Sequence, residues 1–136
     1  MKKSSIVLVG AYLITQLLGQ LSWGAGKLNI SCSNQDGKME FVINHVTSTI
    51  TFTNIDYFAQ ANILKNEPFG ATINYQNNID IKFNYHWYYT ASYHLVIKKP
   101  ITELTPNSVN IPLILNGDDS DGAIFNNVKF DCAVLN

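Results

Sequence analysis

His86 and His94 are the residues whose type and spacing most invite a chemical reading. They fall in YHWYYTASYH, residues 85–94, which also holds four tyrosines and Trp87. Two imidazoles brought side by side form half of a copper or zinc site. The remaining ligands would have to come from another strand, either His45 or a carboxylate, because nothing local supplies them. Exposed histidines on a solvated face, with no metal and no cofactor, are the simpler expectation. A periplasmic metal-binding protein using these histidines is the alternative.

The aromatic residues offer binding without reaction. Trp87, Tyr88 and Tyr89, with Tyr93, His86 and His94 beside them, form the candidate binding surface. Exposed aromatic faces stack against sugar rings or anchor a protein partner. Tyr85, Trp87, Tyr89 and Tyr93 share one parity, so a buried role competes with this reading for most of them.

Other motifs carry less. Asn116-Gly117-Asp118-Asp119-Ser120-Asp121-Gly122 has the composition of a calcium loop. Setting Gly122 on the invariant glycine of an EF-hand puts Gly117 at the first ligand position and Val128 at the twelfth, where oxygen-bearing side chains are needed. That match fails, which leaves a looser calcium loop or an acidic turn. Asn29-Ile30-Ser31 is a formal glycosylation sequon, given little weight because the lysine-led start looks bacterial. There is no G-x-S-x-G elbow, no H-E-x-x-H and no glycine-rich phosphate loop, so no enzyme is expected.

The ends of the chain set the compartment. Met1-Lys2-Lys3 precedes a mostly apolar run over residues 6–18, and Ser22 and Gly24 fit cleavage before Ala25. The run is shorter than the roughly 20 residues that span a bilayer. Residues 1–24 are therefore expected to be a cleaved signal peptide and residues 25–136 a single exported domain, secreted or periplasmic. Once Lys2 and Lys3 are removed, seven lysines and no arginine face ten carboxylates, a net charge of −3. That balance argues against nucleic acid and against an anionic membrane surface. Cys32 and Cys132, the only cysteines, are expected to form a disulfide in an exported chain.

These residues need strands to hold them. Alternation and β-branched content mark strands at residues 27–33, 39–44, 47–55, 71–75, 79–87, 89–98, 110–115 and 128–134. Asp36-Gly37 signals a hairpin. Residues 56–66 read as a short helix capped by Asp56. The expected fold is a single-domain antiparallel β-sandwich, or small barrel, of about eight strands with one short helix, closed by one disulfide.

The alternation from Ile79 to Lys98 puts odd positions on an apolar face and even positions on a polar one. One straight strand of that length would run about 65 Å. The chain must fold back or bend. A three-residue loop pairs odd with odd. Centred on Tyr89 it sets Asp80 opposite Lys98, Ile81 opposite Ile97, Phe83 opposite Leu95 and Tyr85 opposite Tyr93. Centred on Thr90 it sets Lys82 against Lys98. Small exported enzyme inhibitors share this size, disulfide and pattern, so inhibition of a foreign enzyme is one form that binding would take.

Overall fold

A computed structural model describes residues 26–56, 65–86 and 90–135. The expected signal peptide, most of the expected helix at 56–66, and Trp87, Tyr88 and Tyr89 lie outside the described residues. Eight strands follow one another: β1 (Lys27–Asn34), β2 (Gly37–Asn44), β3 (Thr49–Ile55), β4 (Pro68–Asn74), β5 (Ile79–His86), β6 (Thr90–Ile97), β7 (Ile111–Asp119) and β8 (Gly122–Val134). Each is antiparallel to the next, and β1 pairs with β8. Of the two architectures that the pattern allows, the closed barrel is the one formed.

The turns are written into the strand ends. Asn34 Oδ1 accepts the backbone N–H of Asp36 and of Gly37, at 2.8 and 3.0 Å. Asn44, Asn74 and Asp119 accept in the same way from residues two positions ahead. In each case the last residue of a strand is Asn or Asp, whose short side chain mimics a backbone turn. The acidic stretch 116–122, expected as a looser calcium loop or an acidic turn, is the end of β7, a tight turn at Ser120-Asp121 and the start of β8. Gly122 takes φ +122° there, a conformation that favours glycine.

Alternation decides what fills the interior. Ile79, Ile81, Phe83 and Tyr85 on β5, and Ala91, Tyr93, Leu95 and Ile97 on β6, are all buried. Even positions between them face outward, as the parity predicts. The core is sorted along the barrel. Rings of Phe41, Phe52, Phe83 and Tyr93 run in a chain with centroids 5.2–5.7 Å apart, joined by Phe69 and Tyr85. Leu28, Ile43, Ile97, Ile111 and Leu113 occupy the other half. There the connection from β6 to β7 turns across the barrel end in a short 3-10 segment, Ile101–Glu103, and buries Ile101 and Leu104 in the core. The outer wall is polar. Lys38 lies 3.0 Å from Glu40 and lowers its carboxyl below the usual range.

The cysteines form the expected disulfide, inside the barrel, between residues directly opposite each other on β1 and β8. Linking positions separated by 100 residues constrains the unfolded chain. In the chain-entropy treatment this is worth about 4–5 kcal/mol. Replacing both cysteines with alanine should lower unfolding free energy by an amount of that order in urea titrations, with the fold retained in circular dichroism. Tyr75 gives a second expectation, since burial pushes its hydroxyl up to about 12. The unfolded chain ionises first, near pH 10, so stability is full below that point and falls as pH rises to about 12. Tyr75→Phe should flatten that decline.

Candidate functional site

The β5–β6 hairpin sets the frame for the site. Its register pairs Ile79 with Ile97, Ile81 with Leu95, Phe83 with Tyr93 and His86 with Thr90. The three-residue link is residues 87–89, centred on Tyr88. Odd still pairs with odd, as expected, but each partner is shifted two residues from the arrangement centred on Tyr89. Asp80 faces Val96 across the strands, not Lys98. Its carboxylate instead reaches diagonally to His94, with Oδ1 2.8 Å from Nε2.

That register separates the two histidines. His86 sits at the hairpin end with Nδ1 3.0 Å from the Thr90 hydroxyl. His94 lies four residues further along β6 than Thr90, about 13 Å at strand rise. The register centred on Tyr89 would have set the two histidines diagonally and that centred on Thr90 face to face, and neither is formed. His45 is at the opposite end of the barrel, its ring against Gly26 O at 3.0 Å. Among the described residues no group of three or more His, Cys, Asp or Glu is placed to hold a metal ion. Tyr93 points into the barrel at 2% exposure and stacks on Phe83. Its ring supports the hairpin from within the barrel.

A groove of 380 Å³ lies on the outer wall of β4–β7. Lys82 and Asn84 of β5, Ser92 and His94 of β6, and Asn116 and Asp118 of β7 line it. Adjacent strands bring them level. His94 lies between Lys82 and Asn116, and Ser92 lies between Asn84 and Asp118. Ser92 Oγ donates to Asn84 Oδ1 at 2.9 Å. Asn116 Oδ1 accepts the Asn127 N–H at 2.8 Å, where β8 bulges and Asn127 takes φ +49°. These bonds hold the side chains in place on paired strands. A second depression, of 550 Å³, lies on β1–β4 among Val42, Thr49 and Pro68, away from the hairpin.

Lys82, Asn84 and Ser92 were not singled out by sequence reasoning, and Asn116 and Asp118 were read only as part of a candidate calcium loop. The available signal was their even parity on β5 and β6. The register of β7 against β6 carried no such signal. No known protein family, curated protein or solved structure matches the chain.

Beneath this wall Gly117 makes room for the ring stack. A Cβ at that position would lie 2.9 Å from the Tyr93 ring and 3.0 Å from Phe125. Gly117→Ala should therefore destabilise by about 1–3 kcal/mol through overpacking. Asn84→Ala and Asp118→Ala, both exposed, should stay within about 0.5 kcal/mol of the parent. Thermal unfolding of the three variants checks the division between wall and core.

Proposed function

We propose that this protein is exported and acts by binding a protein or glycan partner through surface complementarity, without catalysis. The observation that carries the reading is the division between the inside and the outside of the barrel. Every buried residue among those described is apolar or aromatic, and no polar or charged residue is buried with them. A closed, packed interior leaves recognition to the outer wall and the connections. The connection richest in recognition chemistry is Trp87-Tyr88-Tyr89, joined in the chain to His86 and Thr90 at the end of the hairpin. Aromatic side chains of this kind dominate interface energetics because they give large contact area at low entropic cost.

Export is supported by the basic start and apolar run of residues 1–24, and by the disulfide, which persists in oxidising compartments. A metal-carrying role draws no support from histidines held four residues apart along the hairpin. Inhibition of a foreign hydrolase is one form that protein binding would take. Nucleic acid is a poor partner for a mature chain of net charge −3.

Removal of the signal leaves Trp87 as the only tryptophan. Its emission in the mature protein should be red-shifted and readily quenched by acrylamide. Blue-shifted, protected emission would overturn the surface reading. Trp87→Ala with Tyr88→Ala should abolish capture on a glycan array or by purified secreted hydrolases, with circular dichroism unchanged. Retained binding in that variant would equally overturn it.

A further inference from the structure

The geometry points to a saccharide site in the groove on β4–β7, with a neutral oligosaccharide as its ligand. This inference rests on the binding reading above and narrows it to one ligand class and one set of residues. The volume of 380 Å³ falls within the range of about 300–1,000 Å³ for small-ligand sites. Most such sites are apolar. This one is shallow, and amide, hydroxyl, ammonium, imidazole and carboxylate groups share its lining with a comparable apolar surface, a mixture that suits the hydroxyls and C–H faces of a sugar better than a purely apolar ligand.

Those groups are arranged for hydroxyls. A sugar hydroxyl donates and accepts at once, so its site needs both kinds of partner within one ring's width. Asn84 spends its carbonyl oxygen on Ser92 and keeps its NH₂ as a donor. Asn116 spends its carbonyl oxygen on the Asn127 N–H and likewise keeps its NH₂. Asp118 supplies a carboxylate acceptor beside Ser92 on the next strand. Lys82 supplies a charged donor opposite His94. Among the described residues neither Lys82 nor Asp118 is engaged in an ion pair.

Charge then selects among sugars. One ammonium and one carboxylate line the groove, and Asp80 already holds the His94 ring from outside it. The local balance is close to neutral. A sulfated or uronic chain would meet Asp118 without a second free cation to offset it. A neutral chain meets a donor or acceptor at each hydroxyl and no repulsion.

The test uses isotope-labelled mature protein with its disulfide intact. Tetrasaccharides of glucose, of mannose and of N-acetylglucosamine are titrated in while amide chemical shifts are followed. At least one should shift the amides of residues 82–84, 92–94 and 116–118 together in a saturable way. The double variant Asn84→Ala, Asp118→Ala, checked for fold by circular dichroism, should weaken that binding about tenfold or more. Shifts confined to residues 86–90 would overturn the groove while leaving the hairpin link as the binding surface. No saturable shift with any of the three would overturn the saccharide assignment. The binding reading itself would still stand or fall on the Trp87 and Tyr88 substitutions.

Discussion

The structure depends on the seam where β1 meets β8. Every other strand pair joins neighbours in sequence, most of them through short turns, so those pairings form locally. The seam brings together residues about 100 positions apart and consists of only four pairs, from Ile30 with Val134 to Ser33 with Asp131. Loop-closure entropy is greatest there and the ladder is short. Cys32 and Cys132 are one of those four pairs. The covalent bond thus sits at the one contact that the meander cannot secure by itself. Without closure β1 and β8 would be open edges, and open edges invite pairing with other chains.

Closure dictates the rest. A closed sheet has one face turned inward, and a domain of this size must fill it with side chains. Most of the phenylalanine and tyrosine rings gather in one half, and isoleucine and leucine dominate the other, where Phe130 lies beside Leu113. The connection after β6 seals the aliphatic end with Ile101 and Leu104. Where the aromatic half is tightest, Gly117 gives up its side chain so that Tyr93 and Phe125 can approach the backbone. The groove outside is built on these same residues. Its outward groups alternate with Phe83, Tyr93 and Gly117, so the stack within fixes the geometry of the wall.

Much of this was legible in the sequence, and the parts that were not share a cause. The alternation identified both faces of β5 and β6, because each inward residue there carries a hydropathy signal. Gly117 carries none. Its inward position was invisible, and the polar residues around it read as a loop when they are strand. The hairpin offset has a similar origin. An exposed Asp80–Lys98 pair is worth at most about 1 kcal/mol, too little to set register. The apolar ladder decides instead: Ile97 pairs with Ile79 on one side and Leu113 on the other. That second partner lies on β7, whose alignment no local pattern announces. The choice between sandwich and barrel was hidden for the same reason. Two cysteines show that the ends meet, but not that they meet as adjacent strands.

The outward positions carry little packing duty, so they are free to differ without cost to the fold. Asn84, Ser92 and Asp118 can vary without disturbing the core, since their burial contributes little to it. The hairpin that bears Asn84 and Ser92 also ends in the Trp87-Tyr88-Tyr89 link. Shallow polar sites bind weakly, because solvent competes for each hydrogen bond and only the surplus becomes affinity. Were residues 87–89 to contact the same ligand as the groove, that second association would be effectively intramolecular. A chain long enough to touch both groove and link would gain affinity that neither contact provides alone, at no change to the fold.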